Sequence, residues 1–351
     1  MQRELRCLIA AGGTAGHVLP ALAVAEALRA RGVSVTFAGS PDRAEARLVP
    51  DAGYELDTFR ISGLPRRPGP ALAHALLLAG RAPLACGRIL ARRRPDVVLG
   101  AGGFVAGPMV LAAWRRRIPA ALAEADARLG LANRFAAPFS RRVFLAYPIP
   151  GREGAKYRVT GRPLPSRSHP VARDEARALF DLPREGPVLG VFGALAGARA
   201  LNEFAIEAFG DGGPAVLHIA GERDYPSLEG RVSRPDYRLV PSTDRFGAAL
   251  GAVDLAVSRA GGTVWELAAA GVPSVLVPYP HATGDHQFLN ASHFAGGALV
   301  VREEELDRIP SLVRELLANP ERLRAMGETM RGLARPDAAE TIAEELIALA
   351  A

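Results

Sequence analysis

RCLIAAGGTAGH, residues 6–17, decides the fold of the chain. Arg6 to Ala11 is a short, mostly apolar run that stops at glycine, the pattern of a parallel strand buried on both faces. Gly12-Gly13-Thr14-Ala15-Gly16-His17 makes a glycine turn, and an amphipathic helix is expected from there to about Arg31. Val33 to Ala38 reads as the next strand. Strand, glycine turn, helix and strand form a βαβ unit. The spacing is GGxxGH, not the GxGxxG of a dinucleotide site. The second strand ends in Gly39-Ser40, without the acid that would hold an adenosine ribose. A nicotinamide oxidoreductase is therefore set aside.

The same series continues outward. Pro95 to Gly100 reads as a strand, and Ala101 to Pro108 (AGGFVAGP) as a second glycine turn into a helix. Strands follow at Ala120 to Ala123, Val143 to Ala146 and Tyr157 to Thr160. A second βαβ series begins at Pro187 to Phe192, with Gly193 to Arg199 as its glycine turn. Its further strands are expected at Ala215 to Ala220, Arg238 to Val240, Leu255 to Ser258 and Ser274 to Val277, with a short helix at Phe246 to Val253. Residues 303–334 read as helical. Arg335-Pro336-Asp337 breaks the chain, and the helix after it is expected to cross back to the first half. The expected domains are residues 1–162 with 336–351, and residues 163–335.

The stretch from Arg259 to Gln287 carries the densest chemistry. Gly261 and Gly262 precede a helix expected from Thr263 to Ala270, whose unpaired N–H groups and partial positive charge suit an anion such as a diphosphate. Glu266 lies one turn in, where a carboxylate can grip a diol. Gly271 and Pro273 end the helix, and His281, Asp285, His286 and Gln287 crowd the loop beyond the next strand. No Asp-x-Asp pair and no Cys/His cluster with metal-ligand spacing is present.

These motifs resemble the MurG family, glycosyltransferases that add N-acetylglucosamine to the lipid-linked muramyl-pentapeptide of bacterial cell-wall synthesis. GGTAGH, AGGFVAGP and RAGGTVWELAAAG…DHQ carry the resemblance, which extends over essentially the whole chain. It implies an α/β protein of GT-B architecture, two doubly wound parallel-sheet, Rossmann-like domains facing across a cleft, for which hinge motion is the default. It also implies inverting transfer from UDP-N-acetylglucosamine to the C4 hydroxyl of the undecaprenyl-diphosphate-linked muramyl-pentapeptide. On the acceptor side His17 and Glu124 are the candidate catalytic groups, with Thr14, Ala15, Gly16 and Asp126 as contacts. On the donor side the resemblance points to Gly261, Gly262, Thr263 and Val264 for diphosphate and sugar, Glu266 for the ribose and Gln287 for the sugar hydroxyls. The loop Pro241 to Arg245 is expected near the uracil. Arg259 suits either a phosphate contact or a structural role. No cofactor is required, a divalent metal being at most stimulatory, and no nucleic acid is bound.

Several positions depart from the family. Ala15 replaces a glycine. In the loop where the family reads His-Glu-Gln-Asn, only Glu124 is kept, between Ala123 and Ala125, with Asp126 in place of the Asn. Gly161 to Pro165 replaces GNPVR, so the final arginine is Pro165 here, with Arg162 as a nearby substitute. Leu195 and Ala196 replace the serine and glutamine of GGSQGAR. A GT-B relative with another acceptor or sugar and a nucleotide-sugar-binding or scaffold protein with weakened catalysis therefore stay as alternatives, whereas the GGTAGH and AGGFVAGP turns argue against a UDP-sugar epimerase.

Charge is divided unevenly. Residues 1–162 hold 25 basic and 11 acidic side chains, +14, against 18 and 26, −8, in the rest. Within residues 61–94 the positions Leu72, Leu76, Leu77, Gly80, Pro83 and Leu84 line one helical or broken-helical face. Arg66, Arg67, Arg81, Arg88 and Arg92 to Arg94 surround it, and Trp114 stands before Arg115-Arg116-Arg117. Such a segment suits either a core helix with a solvated basic rim or an apolar patch ringed by arginine that binds an anionic bilayer surface without crossing it. The N-terminus shows no signal-peptide pattern, and Cys7 and Cys86 are the only cysteines. The expectation is a peripheral protein on the cytoplasmic face of the cell membrane.

Overall fold

The computed structural model describes residues 4–63, 69–193 and 197–351. The chain divides into two compact units, Met1–Pro165 with Arg335–Ala351, and Ser166–Ala334.

The first unit alternates β1 (Arg6–Ala10), α1 (Ala15–Ala30), β2 (Ser34–Gly39), α2 (Ala44–Asp51), β3 (Glu55–Thr58), α3 (Pro70–Arg93), β4 (Val97–Gly100), α4 (Ala106–Arg115), β5 (Ala120–Glu124), α5 (Leu131–Ala136), β6 (Arg142–Leu145) and β7 (Tyr157–Val159). The strands lie parallel in the order β3-β2-β1-β4-β5-β6-β7. The order reverses between β1 and β4, where Cys7 pairs with Val97 and Ala10 with Gly100. Leu8, Ile9, Val98 and Leu99 are fully buried, which is why these strands read as continuous apolar runs.

The two glycine turns at this reversal interlock. Gly103, at φ +72°, packs so closely on the Gly12 carbonyl that a Cβ there would strike it. Gly102, at φ +100°, faces the His17 ring, which a Cβ would approach to 2.5 Å. Glycine is needed at both positions for backbone conformation and for space.

Residues 70–93 form one continuous helix, α3, with Pro83 inside it. A proline removes one intrahelical bond, but here Ala75, Ala82, Cys86, Ile89 and Leu90 are buried on one face, and α4 packs against the helix. Burial outweighs the local loss.

The second unit contains α6 (Arg173–Leu179), β8 (Val188–Phe192), α7 (Arg199–Phe209), β9 (Ala215–Ile219), β10 (Tyr237–Val240), α8 (Phe246–Ala252), β11 (Leu255–Ser258), α9 (Thr263–Ala270), β12 (Ser274–Leu276), α10 (His286–His293), β13 (Ala298–Val300), α11 (Ile309–Leu317) and α12 (Pro320–Leu333). Its parallel sheet runs β10-β9-β8-β11-β12-β13, reversing between β8 and β11. In an open sheet of this kind, ligands bind beyond the carboxyl ends of the strands at the reversal. The helical span expected at 303–334 is divided. Pro320 starts α12, and the Asn319 side chain caps it by accepting from the Arg322 N–H at 3.0 Å.

The last helix, α13 (Ala338–Ala350), returns to the first unit and packs on α1. Ile342, Ala343 and Leu346 are buried there, so α1 is covered on both sides. Full burial of the Ile and Leu side chains stabilises by about 1.5–3 kcal/mol each.

Candidate active site

In the first unit the site forms at the carboxyl ends of β1 and β5. Thr14 is the residue before α1, in extended conformation, and its carbonyl accepts the N–H of His17 at 3.0 Å. The Thr14 hydroxyl lies 3.2 Å from His17 Nδ1. Burial lowers the His17 pKa below its ordinary value. The charges of Asp126 and Glu45 and a hydrogen bond with the Gly12 backbone pull it up, while the Arg162 cation pushes it down. The imidazole is therefore held neutral near pH 7, the form that accepts a proton.

Glu45, on α2, was not singled out in the sequence. It is fully buried, and it accepts from the N–H groups of Gly13 and Ser40, both at 2.9 Å, and from the Ser40 hydroxyl. It thereby fixes the turn that carries His17.

Glu124 ends β5 and is buried. It accepts from the N–H of Asp126 at 3.2 Å, the N–H of Gly130 at 2.8 Å and Asn133 Nδ2 at 2.9 Å. Burial raises its pKa, while the Gly130 and Asn133 bonds oppose the rise. With three donors on its two oxygens, the carboxylate shapes the loop from Ala125 to Gly130.

Within the first unit Arg162 sits beside this site. Its Nη2 donates to the Gly16 carbonyl at 2.5 Å and its Nη1 to the Ala125 carbonyl at 3.3 Å. The reason lies in α1. Pro20 has no N–H, so the carbonyl four residues back, Gly16, loses its helical partner, and the buried guanidinium supplies one.

In the second unit Gly261 and Gly262 lead into α9, as the sequence predicts, and Gly271 closes it at φ +69°. Val264 is fully buried, so only its backbone faces the turn. Glu266 lies in the first turn of α9 and accepts from the Ser168 hydroxyl at 2.6 Å. Ser168 is a further residue missed in the sequence, since nothing marks a serine in a connecting segment as the anchor of an acid about a hundred residues later. Gln287 falls in α10. Its Oε1 accepts the Tyr279 N–H at 2.9 Å, and its Nε2 points toward Gly261, 3.9 Å from where a Cβ would stand. Gly261, Gly262, Glu266, Ser168 and Gln287 are thus brought together.

Arg259 is engaged within its own unit. Its guanidinium is buried, pairs with Glu303 and donates to the carbonyls of Val277 at 3.3 Å and Pro278 at 3.4 Å. Leu195 lies outside the described residues, as do Arg66 and Arg67. Arg92 and Arg93 are drawn away from the apolar face of α3 and bind Asp57 on β3, at 2.5 and 2.6 Å. Among the described residues, no group of three acidic, His or Cys side chains is placed to hold a metal ion.

Residues 7–145 match the N-terminal domain of glycosyltransferase family 28, and residues 188–342 its C-terminal domain. The chain is 43% identical to the UDP-N-acetylglucosamine–N-acetylmuramyl-(pentapeptide) pyrophosphoryl-undecaprenol N-acetylglucosamine transferase of Acidithiobacillus ferrooxidans, over 97% of this chain and 96% of that one. It is 41% identical to the transferase of the same name from Salinibacter ruber, over 99% and 98%. The chain belongs to the MurG family. The crystal structure of MurG from Acinetobacter baumannii superposes with a TM-score of 0.77 at 26% identity, covering 99% of this chain and 100% of that one. A UDP-N-acetylglucosamine 2-epimerase superposes at 0.66 with 14% identity, which is a likeness of fold alone.

Membership of the MurG family bears out the GT-B fold class and the glycosyltransferase reading. Glu45, Asn133 and Ser168 are not among the residues the family motifs pointed to, yet each holds a motif residue in place.

Proposed function

We propose that this chain transfers N-acetylglucosamine from UDP-N-acetylglucosamine, with inversion, to the C4 hydroxyl of undecaprenyl-diphosphate-linked muramyl-pentapeptide. The observation that carries the proposal is identity above 40% over nearly the whole length to transferases of that name. His17 takes the proton of the attacking hydroxyl, which its lowered pKa allows at neutral pH. The hydroxyl oxygen bonds to C1 of the sugar, and the bond from C1 to the diphosphate oxygen breaks, releasing UDP. Backbone N–H groups at the start of α9 receive the developing charge. Glu266 holds the ribose and Gln287 the sugar hydroxyls. Thr14, Gly16 and Asp126 border the acceptor. Glu124 and Arg162 position the loop and the helix start around them.

No divalent ion is needed for this scheme, and one would at most stimulate. Incubation with UDP-N-acetylglucosamine and the lipid acceptor, with and without EDTA, tests both statements. UDP release with formation of the disaccharide lipid is expected in each case. Absence of both with the muramyl lipid would overturn the acceptor assignment.

We propose that the chain works at the cytoplasmic face of the cell membrane, where a lipid-linked acceptor would be met, and the first unit has a surface suited to a membrane. Leu77 and Leu84, one heptad apart on α3, are 50% and 67% exposed, Trp114 on α4 52%, and Phe135 on α5 71%. Arg81, Arg88, Arg115, Arg117 and Arg134 are exposed on the same three helices or at their ends. Among the described residues no helix is long and apolar enough to cross a membrane. Peripheral association is the proposal. Insertion of the apolar side chains resists salt, whereas each arginine near an anionic surface contributes about 1 kcal/mol that salt screens. Flotation with phosphatidylglycerol vesicles checks this. Leu77→Ser with Phe135→Ser is expected to remove the salt-resistant part, and Arg115→Gln with Arg117→Gln the salt-sensitive part. No flotation of the wild type at low salt would refute it.

A further inference from the structure

A nucleoside diphosphate brings more negative charge than one helix start meets, and the arginine nearest the α9 turn, Arg259, is already engaged by Glu303 and two carbonyls. On the other flank of the sheet reversal, the loop after β9 carries Arg223. Its Nε and Nη2 donate to Asp224 Oδ1 at 2.8 Å and Oδ2 at 3.3 Å, while the side chain stays 64% exposed. Its Nη1 makes no hydrogen bond with a described residue.

Asp224 is buried and fixed from below. Asn202 Nδ2 donates to Asp224 Oδ2 at 3.1 Å and to the Ala220 carbonyl at 2.8 Å. Asn202 Oδ1 is therefore an acceptor, so His218 Nε2, 3.0 Å away, carries the proton. His218 Nδ1 then accepts from the Tyr237 hydroxyl at 2.9 Å. Four buried side chains thus form one directed chain of hydrogen bonds that ends on Asp224, the acceptor of Arg223. The chain lies beneath the turn after β8. Gly197, at φ +80°, sits so near that a Cβ would come 2.5 Å from Asp224 Oδ2 and 2.9 Å from the Ala220 carbonyl.

We propose that Arg223 binds the diphosphate of the nucleotide sugar, and that Asp224, Asn202, His218 and Tyr237 are the residues that position it. A guanidinium anchored along one edge keeps its other edge for phosphate oxygens and loses little freedom on binding. The proposal rests on the donor reading of this unit, and the test separates the two.

Calorimetric titration with UDP and with uridine is made on the wild type, Arg223→Gln, Arg223→Lys, Asp224→Asn, Arg199→Gln and Glu266→Ala. Arg223→Gln is expected to weaken UDP about tenfold or more, the loss of one charged hydrogen bond, and to leave uridine unchanged. Arg223→Lys recovers part of the loss. Asp224→Asn, which keeps the cation but loosens it, weakens UDP by less. UDP affinity within twofold of wild type in Arg223→Gln, with a tenfold loss in Glu266→Ala, would overturn the Arg223 assignment and keep the donor site. Equal losses for UDP and uridine, or a loss in Arg199→Gln in place of Arg223→Gln, would overturn it as well. No UDP binding by the wild type would remove the donor reading and the proposal together.

Discussion

Glu266→Ala isolates the ribose contact. The carboxylate is half-buried in the first turn of α9, and the Ser168 hydroxyl holds Oε1 at 2.6 Å. Hydrogen bonds to a charged group contribute about 1.5–3 kcal/mol each, so two ribose hydroxyls are together worth about 3–6 kcal/mol at most. Water entering the space left by alanine recovers part of this. A loss of about tenfold in UDP affinity is the lower bound, with larger losses expected. The sharper measurement is a ligand cycle. Wild type is titrated with UDP and 2′-deoxy-UDP, then Glu266→Ala with both. The wild type should prefer UDP by about tenfold, the equivalent of one charged hydrogen bond. In Glu266→Ala that preference should fall to about one, because the acceptor of the 2′ hydroxyl is gone. Ser168→Ala keeps the carboxylate but not its orientation, so UDP weakens by less and the preference survives. Full preference for UDP in Glu266→Ala would refute the assignment, whatever the change in absolute affinity.

His17→Ala should lower turnover by about 10² with UDP affinity retained. The acidic limb of the wild-type pH profile should lie below the ordinary histidine value, and Asp126→Asn, which removes a charge that raises the His17 pKa, should move it lower still. An unmoved limb would detach His17 from the proton step. His218 has a pKa lowered by burial to about 3, from an ordinary 6.5. The unfolded chain takes up the proton first, so this residue removes stability as pH falls from 6.5 toward 3. Between pH 7.5 and 4.5 that amounts to about 3 kcal/mol. His218→Gln should flatten the acid dependence of denaturant unfolding by that amount, and an equal slope in both proteins would refute it. Gly103→Ala and Gly151→Ala both force alanine to a φ above +70°, but only Gly103 meets a backbone atom, the Gly12 carbonyl, whereas Gly151 has open space. Gly151→Ala should cost about 1–2 kcal/mol and Gly103→Ala several times that, read from the denaturation midpoint. Equal losses would show that the two turns do not interlock.

The fold was legible because strand period and glycine turns are local signals. RCLIAA, PDVVLG and strands β8 to β12 of the second unit fall within a residue or two of their expected places, whereas β13 was not expected. The breaks were less legible. Pro83 is tolerated inside α3 because the face it shares is buried, and no count of helix formers in the sequence shows that. At Asn319-Pro320 the signal was present, a capping residue before a proline, and the helical reading ran across it. In the site, motif positions such as Glu266 and His17 were visible as residue types in special places. Their supports were not. Glu45 reads as one acid of an ordinary short helix, and Ser168 as one of two serines in the polar run Ser166 to His169. Sequence gives the type of a side chain but not the direction in which it leaves a buried backbone. For the same reason the carbonyls that engage Arg162 and Arg259 were not legible, and the sequence left Arg259 open between a phosphate contact and a structural role.

The same carbonyl contacts bear on the positions where this chain has lost polar side chains. At Ala123 and Ala125 the family motif reads His and Gln. Here the loop is held by its backbone instead. The Ala123 carbonyl accepts from Asn133 Nδ2 at 3.1 Å, the Ala125 carbonyl accepts from Arg162 Nη1, and Glu124 between them gathers two backbone N–H groups. Alanine satisfies such contacts as well as any residue, because they use no side chain beyond Cβ. Arg162 joins this loop to the first turn of α1, where Pro20 has left the Gly16 carbonyl without its helical donor. The proline and the arginine answer one another. The proline frees a carbonyl at the turn that carries His17, and the arginine ties that carbonyl to the loop that carries Asp126. The loop is thus held by contacts that survive the loss of polarity at 123 and 125, and this weighs against reading those two alanines as signs of a catalytically weakened scaffold.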